Sequence, residues 1–125
     1  MDERYAEVVD LLSVYFDGLY HGDTARLAKA FHPDAAYICP TDKPMRQLTM
    51  GEYFPVVDAR PSPASLGEPR ADQIVAIEFG GPDMAFARVE LAMGPKYFTD
   101  FLTLVRTDGA WRIISKVFHY DVQQG

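Results

Sequence analysis

Asp100 stands in the run Tyr97-Phe98-Thr99-Asp100-Phe101-Leu102-Thr103-Leu104, where strand alternation puts it on the same side as Phe98, Leu102 and Leu104. A carboxyl among such side chains needs a hydrogen-bond partner or a raised pKa, and either condition suits acid–base work. The competing role is a structural hydrogen bond to a turn or a helix end. Tyr15 lies on the apolar stripe of an N-terminal helical pattern, where a tyrosine either bonds a carbonyl in the core or turns its hydroxyl into a pocket. His119 shares a strand side with Ser115 and Val117 near the end of the last apolar run, as an acid–base group or an exposed residue. Cys39 is the single cysteine, so no internal disulfide forms, and no basic residue adjoins it in sequence to activate its thiol. A small apolar wall residue is its expected role. Arg88 and Glu90 share a strand face, either in solvent or as polar contacts of a ligand pocket.

Other chemistries find no support. The three histidines lack the close spacing of a metal site, and neither a Ser-His-Asp order, a P-loop nor a GxGxxG motif occurs. No metal or cofactor is expected. The net charge of −6, with twelve scattered basic residues, argues against a nucleic-acid partner. The longest apolar runs are only a few residues, too short to span a membrane. Met1-Asp2-Glu3-Arg4 leads straight into helical sequence without a signal-peptide pattern, and a cytoplasmic location is expected.

The elements that must position these residues come from periodicity. Tyr5, Val8, Leu12, Tyr15 and Leu19 form a helical stripe, widened by Val9, Phe16 and Tyr20 and ended by Gly22. Asp23 or Thr24 caps a short second helix whose buried side is Leu27, Ala28, Ala30 and Phe31, broken at His32-Pro33-Asp34. A strand over Ala35–Cys39 and a small hairpin over 41–48 follow. Thr49-Met50-Gly51-Glu52 has capping-box spacing and predicts a third helix over about residues 50–59, although Pro55 falls near its first turn. Four strands then alternate with turns: Gln73–Phe79, Met84–Met93, Tyr97–Arg106 and Trp111–Tyr120. Three helical segments followed by an antiparallel meander make a single α+β domain over residues 1–125, of which 48% are apolar and 24% charged. In the Tyr97–Arg106 strand Phe98, Leu102 and Leu104 oppose Tyr97, Phe101 and Val105, so both faces are apolar. Helices cover one face, and a second copy of the chain is expected on the other, a homodimer through the sheet.

The segments Tyr15-Phe16-Asp17-Gly18-Leu19-Tyr20-His21-Gly22-Asp23 and Leu27-Ala28-Lys29-Ala30-Phe31-His32-Pro33-Asp34-Ala35 resemble the nuclear transport factor 2-like superfamily. The stretch from Tyr97 to Leu104 and that from Gly109 to Phe118 look most like its lumazine-binding branch. The resemblance implies a cone-shaped curved antiparallel sheet, mostly the C-terminal meander, packed against the three N-terminal helices. It also implies a pocket inside the cone. In the related ketosteroid isomerases a tyrosine and a protonated aspartic acid form an oxyanion hole while another aspartate is the base. By motif, the two donors fall on Tyr15 and Asp100, and the base position falls on Cys39, which disfavours steroid isomerisation. The expected partner is a small apolar or aromatic molecule in a pocket lined by Phe16, Phe31, Cys39, Phe54, Arg88, Phe98 and Val117. The alternatives are a cofactor-free isomerase, cyclase or dehydratase that uses Tyr15 and Asp100 as acids with His119 or Cys39 as base, and a non-catalytic dimerisation module.

Overall fold

The computed structural model describes residues 2–123. These residues form three helices, α1 Glu3–His21 and α2 Thr24–Ala30 at the start and α3 Met50–Ala59 after the first two strands. The strands are β1 Phe31–Cys39, β2 Arg46–Leu48, β3 Asp72–Phe79, β4 Met84–Met93, β5 Lys96–Thr107 and β6 Ala110–Val122. They form one open six-stranded sheet in the order β2-β1-β6-β5-β4-β3.

Local chemistry fixes the helix ends. Asp2 caps α1 by accepting a hydrogen bond from the Arg4 N–H, and Gly22 closes it at φ 60°, a left-handed conformation that glycine adopts without a Cβ clash. Gly18 lets α2 come close, because a Cβ there would meet the Leu27 side chain at 2.7 Å. Asp23 caps α2. The Thr49–Glu52 capping box forms in full: the Thr49 side chain accepts from the Glu52 N–H at 3.2 Å, and the Glu52 carboxylate accepts from the Thr49 N–H at 2.9 Å. Pro55 is accommodated inside α3 on its exposed side.

The N-terminal half departs from the sequence reading at its second element. Phe31 opens β1 instead of closing α2, and Ala28 is exposed. Pro33 sits where the β1 ladder with β6 shifts register, between Phe31 and Ala36, so it interrupts a strand and not a helix. The β1–β6 pair is parallel, which makes the sheet mixed, whereas β3 to β6 form the expected antiparallel meander. Tyr5, placed on the buried stripe by periodicity, is 45% exposed.

The core lies between the helices and one face of the sheet. Val8, Leu12, Tyr15 and Leu19 of α1, Leu27 of α2, and Tyr53 and Val57 of α3 are buried together with Ala87, Val89, Leu102, Leu104 and Ile113 of the strands. These strand residues define the inner face. The outer face of the same strands carries Met84, Phe86, Arg88, Tyr97 and Phe101.

A buried Tyr–Asp–Lys cluster as the candidate site

Alternation along β5 turns Phe98, Asp100, Leu102 and Leu104 inward, and cross-strand partners share a face. Asp100 pairs with Phe118 and Leu102 with Lys116, so Lys116 and Phe118 point inward too. Strict alternation from Ile113 would instead send Ser115 and Val117 inside. The ladder shifts between Thr103↔Ser115 and Leu104↔Ile113, leaving Ile114 as one extra residue on β6. That bulge reverses the parity of everything after it.

Three polar side chains meet in the apolar interior as a result. The Tyr15 hydroxyl donates to Asp100 Oδ2 at 2.5 Å, from α1 across to β5, and both residues are fully buried. Lys116 Nζ lies 3.9 Å from the same oxygen, close enough for ion pairing but too long for a hydrogen bond. The ammonium rests against four aromatic rings, 4.9 Å from the Phe118 centroid, 5.2 Å from Tyr15, 5.4 Å from Tyr37 and 5.6 Å from Tyr53. Such contacts replace part of the hydration that Lys116 gives up on burial. Asp100 Oδ1, equally buried, has no hydrogen-bond partner among the described residues. An unpaired buried carboxylate oxygen is costly, and this one is an acceptor of the cluster left without a donor.

Burial raises the Tyr15 phenol well above its usual range, and the neighbouring Asp100 carboxylate adds to the shift. For Lys116, burial is the largest influence and pushes the pKa down. The Tyr53, Asp100 and Tyr37 groups oppose it, and the balance lies above the ordinary lysine value. Burial likewise raises Tyr37, against the pull of Lys116. Both shifts keep Tyr15 and Lys116 in their protonated forms near neutrality, the phenol donating to Asp100 Oδ2 and the ammonium facing the same oxygen.

Beside the cluster lies a small cavity of about 20 Å³, lined by Leu19, Tyr37, Tyr53, Arg60, Phe98 and Asp100 among others. It has room for about one water. A hollow of about 440 Å³ opens on the far side of Leu91 and Phe98, which line both spaces. The larger space is bordered by Gln73, Glu90, Thr99 and Asp121 and holds none of the cluster. Asp100 and Lys116 thus border the small interior cavity, with Leu91 and Phe98 as the wall that the two spaces share.

The other sequence-derived candidates divide between the faces. Phe98 lines the interior cavity, while Phe16 lines an adjoining space of about 10 Å³ and packs 5.7 Å from Tyr15. Phe31 meets Tyr15 edge-on at 5.7 Å and, with Phe54, borders a separate groove near Met50 and Pro33. Cys39 is fully buried on the inner side but does not line the cluster's cavity. Arg88, Val117 and His119 are on the outer face, a correction to their expected place in the pocket. Arg88 is exposed beside Glu90 at 3.3 Å, and Val117 pairs across from outward-facing Phe101. His119 bonds Thr41 at 2.6 Å through Nδ1 and Asp121 at 3.0 Å through Nε2, away from Tyr15 and Asp100. The bulge at Ile114 explains two of these, and Arg88 simply belongs to the outward register of β4. Lys116, Tyr37 and Tyr53 escaped the sequence reading. The available signal was a lysine two residues before Phe118 and four before Tyr120, on an aromatic strand side.

An open curved sheet with three helices on its inner face is the architecture of the nuclear transport factor 2-like superfamily. An NTF2-like protein of unknown function from Shewanella baltica OS155 is 25% identical, with a TM-score of 0.84 covering 95% of this chain and 94% of that one. Another, from Silicibacter pomeroyi DSS-3, is 24% identical with a TM-score of 0.83 over 95% and 97% of the two chains and attests the fold. Residues 3–119 match the family described as "Putative lumazine-binding", and the chain belongs to that family. A curated relative from a Cladobotryum species, Aldolase FrzH, is 28% identical over 118 residues, covering 93% of this chain and 90% of its own.

Proposed function

We propose that this domain binds a small carbonyl compound at the inner end of the cone and acts on it as a cofactor-free acid–base catalyst of enolisation. The single observation that carries this reading is the buried Tyr15–Asp100–Lys116 cluster with Asp100 Oδ1 unpartnered at a cavity. A phenol and an ammonium in an apolar setting stabilise negative charge developing on a carbonyl oxygen, and a nearby carboxylate can take the proton from the adjacent carbon. Aldol, isomerase, cyclase and dehydratase reactions all pass through such an enol or enolate. An aldolase among the relatives favours the first of these. The cavity holds about one water as it stands, so a ligand enters by displacing that wall at Phe98 and Leu91.

The test uses flat substituted phenols as enolate-like ligands and their methyl ethers as controls, titrated calorimetrically. The phenol should bind and the ether should bind at least about tenfold more weakly, as expected for loss of a hydrogen bond to a charged group. Tyr15→Phe should weaken the phenol while leaving the ether unchanged. Equal binding of phenol and ether would leave only a non-polar binding pocket.

The outer face suits a homodimer. Tyr97 is 49% exposed and Phe101 47%, and Phe101 stacks edge-on with Phe86 at 5.5 Å. Sedimentation should give about 28 kDa, twice 14.0 kDa, and Phe101→Lys should return the monomer. A wild-type monomer at micromolar concentration ends this part of the proposal.

A further inference from the structure

We infer that Lys116 is a covalent nucleophile that forms an imine with the carbonyl ligand, with Asp100 and Tyr15 moving the protons. The inference rests on the carbonyl-binding reading above and adds a bond to it. Of the four lysines, Lys29, Lys43 and Lys96 are exposed and Lys116 alone is buried. A lysine whose ammonium faces a carboxylate able to take its proton can be turned into the free amine that attacks a carbonyl. A purely structural cation would be expected to complete its hydrogen bonds on burial. Lys116 Nζ instead stops 3.9 Å from Asp100 Oδ2, while Asp100 Oδ1 stays unpartnered beside the cavity. Both partners retain unused bonding capacity toward the same cavity.

The step balances without an oxidant or a co-reactant. Asp100 takes one proton from the Lys116 ammonium, leaving a neutral amine and a neutral carboxyl. The amine attacks the carbonyl carbon, and the carbonyl oxygen receives a proton from the Asp100 carboxyl to give a carbinolamine. The nitrogen, positive since the attack, gives its extra proton to the Asp100 carboxylate, which passes it to the Tyr15 oxygen as the Tyr15 hydroxyl proton moves to the carbinolamine hydroxyl; water leaves, the phenol is restored and a protonated imine remains. Asp100, again a carboxylate, then removes the proton on the adjacent carbon, and the electron pair flows to nitrogen as an enamine. The net change to this point is amine plus carbonyl to enamine plus water. The enamine carbon is the nucleophile that an aldol step needs.

Charge around Nζ decides how fast the first transfer is. Asp100 faces it from β5, Tyr15 from α1, Tyr37 from β1, Tyr53 from α3, and Arg60 lines the same cavity. A phenol attracts an ammonium by charge only after it ionises, at about pH 10 for an ordinary tyrosine. Near neutrality Asp100 is therefore the group that holds the proton on Lys116 and also the group that takes it.

The experiment incubates the full chain with acetaldehyde, the smallest carbonyl compound with an adjacent C–H, and a limiting amount of sodium cyanoborohydride. Peptide mass mapping then follows each lysine separately. Lys116 should be ethylated ahead of Lys29, Lys43 and Lys96. Asp100→Asn should slow labelling of Lys116 by about a hundredfold, the scale of a lost acid–base group, without changing the other three. Lys116→Met should lose the buried label while Lys29, Lys43 and Lys96 label as in the wild type, and a cooperative urea transition reports that the variant folds. Labelling confined to the exposed lysines, with phenol binding intact, would overturn the nucleophile and leave the carbonyl site standing. Loss of both phenol binding and Lys116 labelling in the wild type would overturn the two together.

Discussion

The two faces of the sheet across β4, β5 and β6 use similar residues to opposite ends. Inside, Asp100 and Lys116 sit 3.9 Å apart and are almost wholly buried, next to a phenol and three further aromatic rings. Outside, Arg88 and Glu90 sit 3.3 Å apart beside the Phe101 ring, with their side chains 46% and 38% exposed. The outer pair is solvated and contributes little, whereas the inner pair has surrendered its water and each ion depends on the other. The same two charge types become surface dressing on one side and a desolvated, mutually dependent pair on the other. Solvent access makes the difference.

Breaking the inner pair should have the largest effect. Asp100→Leu leaves the Lys116 ammonium buried without its counter-ion and should cost about 3 to 5 kcal/mol in urea denaturation. Adding Lys116→Met to Asp100→Leu should recover most of that loss, since an apolar pair in the same space carries no desolvated charge. Arg88→Leu on the outer face should change stability by less than about 1 kcal/mol. If Asp100→Leu costs no more than Arg88→Leu, the faces do not differ as described.

Alkaline pH sharpens the contrast more gently. Tyr15 and Lys116 both titrate above their ordinary values in the folded chain, so each favours folding in its protonated form. Their contribution is fully present below the unfolded values, about 10 for both phenol and ammonium, and declines as pH climbs from there toward the folded values. Urea midpoints measured from pH 8 to 11.5 should fall more steeply for the wild type than for Tyr15→Phe. Parallel curves would mean that the phenol of Tyr15 titrates as if in water.

Much of this was legible in the sequence, for reasons that are local. The Thr49–Glu52 spacing and Gly22 mark element ends through short-range chemistry, and strand parity alone put Asp100 inside. Tyr15 reached Asp100 through a resemblance, and the hydrogen bond between them spans 85 positions that no local pattern connects. Lys116 was out of reach because a single extra residue at Ile114 reverses the alternation after it. The same slip placed Val117 in the pocket when it lies outside. Phe31 was assigned to α2 because Pro33 looks like a helix breaker, whereas the chain had already become a strand two residues earlier.

Chemical-shift mapping of the uniformly labelled chain, titrated with a flat phenol, tests the inner site most directly. Resonances of Tyr15, Phe98, Asp100 and Lys116 should move together and saturate at one affinity, with those of Arg88, Phe101 and His119 unchanged. Shifts confined to Gln73, Glu90, Thr99 and Asp121 around the large outer hollow, with the buried cluster silent, would contradict a functional site built on Tyr15, Asp100 and Lys116.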